Sequence, residues 1–313
     1  MIRLDDVLVL TPQITPVEAR FLVTASWKCE EQAASGPTRL KGTVVGPLCE
    51  YADTLSTRVE LKQTAAHVGR DPQPTHLMAA ARILEPCFWG PEHPFCYELQ
   101  LELHGQDRLL DMRRFICGIR HLAVQRTVLL FNGQACFLQG VWHPSVSSIT
   151  ELQAWHELEC SAFLTAATPE LCDRTDRFGP IVLHLLPPIT DEANDQVARL
   201  RNHPSVLMWV VPAEITSDYR KGFIKAIRGR DPSRPIGQLV SIDQMAGVAS
   251  SADVLFLPPG HPEIGNPQAK RPYIIVGRFA GYTSDCTPGN FTERVDAFRQ
   301  SLGEQPGLVG VIL

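Results

Sequence analysis

The sequence lacks the features that are typical of nucleic-acid-binding and membrane-spanning proteins. It has no run of basic residues and its formal net charge at pH 7 is −5, so we expect no nucleic-acid partner. Its longest apolar stretches, at 181–188 and 205–212, are far shorter than the roughly 20 residues that a membrane helix needs. The N-terminus has no basic segment followed by an apolar one, as a secretory signal would. We therefore expect a cytoplasmic protein with no membrane partner.

The nine cysteines form no Cys-x-x-Cys pair, and their number is odd. Scattered single cysteines are typical of reduced thiols in a cytoplasmic protein. A zinc site needs a close grouping of cysteine and histidine residues, which this sequence does not contain. The histidines considered as metal ligands, His143, His184 and His261, are widely spaced and form no His-x-His pair. We expect no metal and no cofactor.

The chain of 313 residues is 44% hydrophobic and 20% charged, which is ordinary for a globular protein and leaves room for two domains. Its first 125 residues contain seven short apolar segments, separated by turns that contain proline or glycine. This spacing predicts an immunoglobulin-like β-sandwich over residues 1–125. The predicted strands are 7–10, 19–27, 40–45, 57–63, 77–83, 97–103 and 119–124.

After residue 125, short apolar strands alternate with amphipathic helices. Eight strands with intervening helices predict a (β/α)₈ TIM barrel over residues 126–313. This range is shorter than the roughly 200 residues that the fold takes at least in most proteins, so the barrel must be compact. The predicted fold class is therefore multidomain, β and α/β. The predicted strands are 137–141, 162–166, 181–186, 206–211, 236–240, 254–257, 273–276 and 308–313, and the predicted helices are 149–159, 169–177, 191–201, 217–228 and 291–302.

Barrel enzymes carry their catalytic groups at the carboxyl ends of the strands, so we examined the residues that follow each predicted strand. The aromatic ring of Trp142 could stack on a sugar or could simply cover the core. Asp243 and Asp285 fit either a ligand site or a turn, because Ser241 lies two residues before Asp243 and Ser284 directly before Asp285. The candidate binding residues at this barrel mouth are Trp142, His143, Asp243, Tyr282 and Asp285.

Four stretches, in order along the chain, resemble motifs of glycoside hydrolase family 2, the group that contains β-galactosidases and β-glucuronidases. Residues 86–97 (PCFWGPEHPFCY) resemble the family's P-x-L-W-S-P-E-x-P-x-L-Y. Residues 118–141 contain GIR, LFNG and FLQGV, which are similar to G-F-R, L-N-G-K and L-R-G-V. Residues 201–209 (RNHPSVLMW) and 231–235 (DPSRP) are similar to R-N-H-P-S-V-I-M-W and D-P-T-R-P.

This resemblance covers nearly the whole chain and implies a glycosidase framework of carbohydrate metabolism, in which a β-sandwich precedes the barrel. Residues 2–12 resemble the last strand of the family's N-terminal jelly roll, whose remainder is absent from this sequence. We expect either that the jelly roll was lost or that the chain is part of a longer product.

The resemblance also indicates where two catalytic carboxylates would stand, which in retaining glycosidases are about 5–5.5 Å apart. The family's W-S-x-G-N-E maps onto residues 209–214, so Glu214 falls on the general acid/base and Ala213 replaces the sugar-contacting Asn. The nucleophile motif K-P-I-I-V-x-E-F-G-A maps onto residues 271–281. There Arg278, or Gly277 in the alternative register, stands in place of the Glu. Neither alignment supplies a nucleophile.

Further positions that contact sugar in the family are also changed, since Leu164, Trp142 and Pro144 stand where the family has Arg, Asn and His. If Arg278 occupies the nucleophile's place, its guanidinium should pair with Glu214. Such a cation favours the ionised carboxylate, whereas a general acid must hold its proton near neutral pH.

Two functions remain open from the sequence. The first is a catalytically inactive family 2-like protein, a pseudoenzyme that acts in carbohydrate binding or as an interaction module for a protein partner. The second is an active O-glycosidase that uses Glu214 with a relocated carboxylate, Asp243 or Asp285. A carboxylate close to Glu214 would favour the second hypothesis.

Overall fold

The computed structural model describes residues 2–29, 39–67, 76–106, 108–144, 146, 148–158, 162–241, 251–262, 264, 271–277, 286–303 and 305–313. The chain groups into two compact units. Unit 1 comprises Met1–Trp89, His93–Arg120 and Arg201–Pro204. Unit 2 comprises Gly90–Glu92, His121–Leu200 and Ser205–Leu313. The domain limit at residue 125 stays a prediction.

Unit 1 consists of two antiparallel sheets of four strands each, in the orders β1-β2-β6-β5 and β4-β3-β7-β8. Apolar side chains from both sheets form one buried cluster, in which Phe21 and Tyr97 pack edge to face. Alternate residues of β2, β6 and β7 point into it. The strands are β1 (Ile2–Ile14), β2 (Glu18–Cys29), β3 (Arg39–Leu48), β4 (Thr57–Glu60), β5 (Lys62–His67), β6 (His76–Leu84), β7 (Cys96–Gly105) and β8 (Arg108–Cys117).

Three details of the strands before the barrel differ from the prediction. The single strand predicted at 57–63 is two strands, because buried Leu61 separates β4, which pairs with β3, from β5, which pairs with β6. Strand β8 was not predicted, since as an edge strand paired only with β7 it buries few side chains and carries four charged residues. The strand predicted at 119–124 begins only at Leu122.

A small antiparallel sheet precedes the barrel in unit 2, in the order β11-β10-β9. The turn between β10 and β11 has Asn132 and Gly133 at positive φ angles of 50° and 85°, as a tight hairpin requires. The strands are β9 (Leu122–Gln125), β10 (Val128–Phe131) and β11 (Gln134–Ala135).

Eight parallel strands close into a barrel, as the sequence predicts. β19 completes the ring because it pairs with β12 as well as with β18. Glycines make room inside: a Cβ on Gly237 would lie 2.4 Å from the Phe256 ring. The strands are β12 (Leu138–Trp142), β13 (Ala162–Thr165), β14 (Ile181–Leu185), β15 (Val206–Val211), β16 (Ile236–Leu239), β17 (Val254–Leu257), β18 (Tyr273–Val276) and β19 (Leu308–Ile312).

Helices cover the outside of the barrel, and all five predicted ones are present with limits that shift by at most two residues. The first is fixed by a capping box, in which Ser148 accepts from the N–H of Glu151 and the Glu151 carboxylate accepts from the N–H of Ser148. Among the described helices, none is both long and apolar enough to span a membrane. They are α1 (Ile149–Glu157), α2 (Pro169–Phe178), α3 (Thr190–Leu200), α4 (Ser217–Arg230) and α5 (Phe291–Leu302).

Candidate functional site

Glu214 lies at the barrel mouth, three residues after β15 ends at Val211. Its side chain is exposed, whereas the neighbouring Ala213 and Ile215 are buried. Arg220 of α4 fixes this loop, because its Nη2 donates to the carbonyl oxygen of Ile215 over 2.7 Å. Burial lowers the pKa of Arg220 from its ordinary value. The acid/base candidate therefore sits on an anchored loop and points to solvent.

Trp142 and His143 lie together at the end of β12. The backbone N–H of Trp142 donates to Leu313, directly after β19, over 2.7 Å, and that of His143 donates to Leu164 of β13 over 2.9 Å. The two rings pack edge to face with centroids 5.5 Å apart. His143 adopts a left-handed φ of 45°, and its Nδ1 is 3.1 Å from the Thr165 hydroxyl. Backbone pairing to both neighbouring strands thus presents an indole and an imidazole side by side.

Four of the predicted site residues cannot be placed against Glu214. Arg278, Asp243, Tyr282 and Asp285 lie outside the described residues. The proposed ion pair between Glu214 and Arg278 therefore stays a prediction. Gly277, the alternative match to the nucleophile, is described: it is buried directly after β18 and brings no functional group.

The ends of the barrel strands carry few polar groups. Leu164 of β13, which stands where the family has an Arg, is fully buried. In the described parts of the chain, Glu214 is the one carboxylate in the loops at the carboxyl ends of the barrel strands, because Asp253, directly before β17, lies at the opposite end and accepts from the N–H of Ile236. The last residues of the eight strands are Trp142, Thr165, Leu185, Val211, Leu239, Leu257, Val276 and Ile312.

His184, considered as a metal ligand, is a core residue. Its Nδ1 accepts from the backbone N–H of Ala167 over 3.1 Å, so Nε2 carries the proton and donates to Gln196 Oε1 over 2.8 Å. Trp209 packs edge-on against its ring. Burial lowers the pKa of His184 to about 4, which keeps the ring neutral at physiological pH. Both ring nitrogens are engaged, so this histidine holds loop and helix together.

The motif at 231–235 supports β15 and lies away from the mouth. Asp231 accepts hydrogen bonds from the Trp209 indole (3.0 Å), from Arg234 Nη1 (2.6 Å) and from the N–H and hydroxyl of Ser233. The guanidinium of Arg234 also lies over the Trp209 ring and donates to the carbonyl oxygen of Val206. Every one of these contacts is to a barrel strand or within the motif, so the motif is structural.

The motif at 201–204 is bound within unit 1. The Asn202 amide donates to the carbonyl oxygen of Val7 and accepts from the N–H of Val9, each over 2.9 Å, and Arg201 pairs with Asp6. The amide thus replaces a strand partner at the edge of β1. A Cβ on Gly118 would lie 2.6 Å from Pro204, so glycine is needed at that position.

Residues that the sequence did not single out also shape the mouth. Tyr219, in the first turn of α4, is half exposed and its hydroxyl hydrogen-bonds to Thr190 at the start of α3. Arg220 anchors the Glu214 loop, as described above. Neither residue belongs to a recognisable motif. Tyr219 acts because the first turns of α3 and α4 meet, and Arg220 acts because its loop folds back on α4.

The comparisons with known proteins agree with this architecture. The family model described as "Glycosyl hydrolases family 2, TIM barrel domain" matches residues 183–256. A glycosyl hydrolase family 2 member from Bacteroides cellulosilyticus is similar in structure, with a TM-score of 0.73 at 16% identity, over 99% of this chain and 46% of that one. A β-D-glucuronidase from Dictyoglomus thermophilum has a TM-score of 0.68 at 18% identity, over 99% and 62% of the two chains.

A β-glucuronidase from Bifidobacterium dentium, solved with coumarin-3-O-glucuronide, has a TM-score of 0.69 at 15% identity, over 100% of this chain and 60% of that one. The chain thus spans between 46% and 62% of the length of these three structures. Their fold is shared over both units, and the family model matches in the barrel. The resemblance to glycosyl hydrolase family 2 that the sequence motifs indicate is confirmed.

Proposed function

We propose that this chain is a catalytically inactive, family 2-like protein of carbohydrate metabolism that binds carbohydrate without cleaving it. One observation carries the proposal: at the carboxyl ends of the barrel strands, Glu214 is the one carboxylate in the described part of the mouth. Retaining hydrolysis needs a nucleophile about 5–5.5 Å from the acid/base. With Arg278 at the nucleophile position, no covalent glycosyl intermediate can form there.

The surroundings of Glu214 support the same conclusion. A general acid that works near neutral pH is a carboxyl group kept largely out of water, whereas Glu214 is exposed. The preceding Ala213 cannot donate a hydrogen bond to a sugar, as the family's Asn does. Buried Leu164 likewise offers no polar group where the family has an Arg. A single substitution would therefore not recover the lost groups.

Carbohydrate binding is supported by the pair at the end of β12. Trp142 offers an aromatic surface that suits the C–H face of a sugar, and exposed His143 offers a ring nitrogen for a hydroxyl. Asp243, Tyr282 and Asp285 are proposed to complete this mouth. A protein partner bound by the same surface is the competing possibility, and the binding test below separates the two.

The proposal extends to domain type and location. We assign the immunoglobulin-like type to residues 1–125, which is supported by two antiparallel four-stranded sheets around one apolar cluster. Residues 126–313 form the glycosidase-like domain. The scattered cysteines support a cytoplasmic location, and the net charge of −5 without a basic run supports the absence of a nucleic-acid partner.

Hydrolysis is tested by nitrophenol release from a panel of aryl glycosides, including β-glucuronides and β-galactosides. We expect no turnover by the unmodified chain. The variant Glu214→Gln and the matched control Glu293→Gln, which changes an exposed glutamate of α5, should behave identically. Turnover that disappears in Glu214→Gln and persists in Glu293→Gln would refute inactivity and establish the active O-glycosidase with a relocated carboxylate.

Binding is tested separately on an array of immobilised neutral and acidic oligosaccharides. We expect retention on at least one glycan, competed by the same glycan in solution. If no glycan is retained, the carbohydrate part of the proposal is wrong and a protein-interaction module becomes the better account.

A further inference from the structure

A second concave surface lies at the other end of the barrel from Glu214. It is an open groove of about 830 Å³ between the residue that precedes β12, the last turns of α5 and the start of β19. Its volume falls in the range of about 300–1,000 Å³ that is usual for ligand sites. The groove is lined by Phe137, Asp296, Arg299, Gln300, Gln305 and Pro306, together with Gly303 and Leu308.

Two polar groups in the groove are held in place before any ligand binds. The guanidinium of Arg299 lies over the Phe137 ring, 5.0 Å from its centroid, which restricts a long side chain that would otherwise move freely. The Gln305 amide donates from Nε2 to the carbonyl oxygen of Leu302 over 2.9 Å, so its Oε1 is oriented as an acceptor. Ordered groups lose less entropy on binding than mobile ones.

Both donors and acceptors line the groove, and charges of both signs are present. Asp296 and Arg299 lie three residues apart on α5, yet neither forms an ion pair with the described part of the chain. A carboxylate only accepts hydrogen bonds and a guanidinium only donates them. Neighbouring hydroxyls on one molecule satisfy both, because each hydroxyl can donate to Asp296 and accept from Arg299. A ligand of high net charge would be repelled by one of the two.

We infer that this groove, at the amino-terminal end of the barrel, is a binding site for a neutral oligosaccharide. Pro306 supplies apolar surface for the C–H groups of a pyranose, while Phe137 holds Arg299 in place, and the open ends allow a chain of sugars to pass. The inference rests on the proposed carbohydrate binding and deepens it, since it adds a second carbohydrate surface to the one proposed at the mouth. It also fits a barrel whose mouth is poor in polar groups.

The test uses the whole chain. Immobilised neutral cello-, xylo-, manno- and galacto-oligosaccharides identify the glycan with the strongest signal, and titration calorimetry with the free oligosaccharide then gives Kd. We expect Arg299→Ala and Asp296→Asn each to weaken binding roughly 10-fold, as the loss of one charge-assisted hydrogen bond predicts. Arg199→Ala, at an exposed arginine on α3, should change Kd by less than about 2-fold, and Trp142→Ala reports separately on the mouth.

The outcomes separate this inference from the proposal on which it rests. If the glycan binds and only Trp142→Ala weakens it, the groove is not the site while carbohydrate binding stands. If no glycan binds, both are wrong. Arg299→Ala also removes the contact with Phe137, which could disturb the groove itself. Gln300 lines the groove without that contact, so Gln300→Ala is the control, and this variant should also weaken binding.

Discussion

The indole N–H of Trp209 donates a hydrogen bond to the Asp231 carboxylate over 3.0 Å, and both side chains are fully buried. Arg234, itself almost wholly buried, neutralises that carboxylate. The pair links the middle of β15 to the segment that leads into β16. The motif at 231–235 therefore has a structural role in the barrel that does not depend on catalysis at the mouth.

Removing the charge of Asp231 should destabilise the barrel strongly. In Asp231→Asn the buried guanidinium of Arg234 loses its counter-charge, which costs about 3–5 kcal/mol in comparable cases. Urea unfolding monitored by tryptophan fluorescence measures the loss. The control Asp5→Asn breaks an exposed pair with Lys28 and should cost less than about 1 kcal/mol. Equal effects of the two substitutions would contradict the structural role.

The same carboxylate should make stability depend on acidic pH. Burial alone would raise the pKa of Asp231, but the Arg234 charge and the bonds from Ser233 outweigh it and lower the pKa below its usual value. A lowered folded-state pKa stabilises the fold above the unfolded value of about 3.9, and this contribution is lost as pH falls through the folded value. The loss of stability below about pH 4 should therefore be smaller in Asp231→Asn than in the unmodified chain.

His184 should make the free energy of unfolding depend on pH as well, at higher pH than Asp231 does. Burial lowers its pKa from 6.5 to about 4, so between these values the unfolded chain takes up a proton that the folded chain does not. The free energy of unfolding should fall by roughly 3 kcal/mol as pH decreases from about 6.5 to about 4. His184→Gln should flatten that decline in urea titrations, while His121→Gln, at an exposed position, should leave it unchanged.

The contact of Asn202 with β1 should be visible in amide exchange. Asn202→Ala removes both bonds to the strand edge and should lower stability by about 1–3 kcal/mol. The Val9 amide should exchange faster in hydrogen–deuterium measurements. Asn202→Asp keeps the oxygen that accepts from Val9, so protection of this amide should be largely retained. Rapid exchange of Val9 already in the unmodified chain would rule out the contact in solution.

Restoring a carboxylate at the nucleophile position should not restore catalysis. In Arg278→Glu the second carboxylate returns, but Ala213 and Leu164 still offer no hydrogen bonds to the sugar. The interactions that glycosidases strengthen in the transition state therefore remain absent. Nitrophenol release should stay at background in Arg278→Glu. Measurable turnover in this single variant would mean that only one group had been lost.

The framework of this chain could be read from its sequence because it depends on local pattern. The eight barrel strands are short apolar runs that are buried on both faces, and such runs stand out between amphipathic helices. The predicted limits of β15 and α5 agree with the structure to the residue. Strand β8 escaped prediction because an edge strand need not alternate, and the division at Leu61 depends on which sheet each half joins.

The candidate site was predictable only in part. The sequence placed Glu214 and Trp142 after barrel strands, since in a parallel barrel all carboxyl ends meet at one face. It did not indicate that Arg220 anchors the Glu214 loop or that Arg299 lies over Phe137. The Arg299 contact joins residues far apart in the chain, and the Arg220 contact depends on how the loop folds back on α4, so no motif records either of them.

The sequence by itself determined the order of strands and helices and the family resemblance, because each is a property of residue identity and spacing, and it predicts the loss of a carboxylate at residue 278. Only the tertiary structure decided what the surviving motifs do. Asp231 and Asn202 turned out to satisfy buried backbone and side-chain groups, and His184 to be a neutral core residue. The physical reason is that hydrogen bonding and burial depend on neighbours in space, which residue order does not specify.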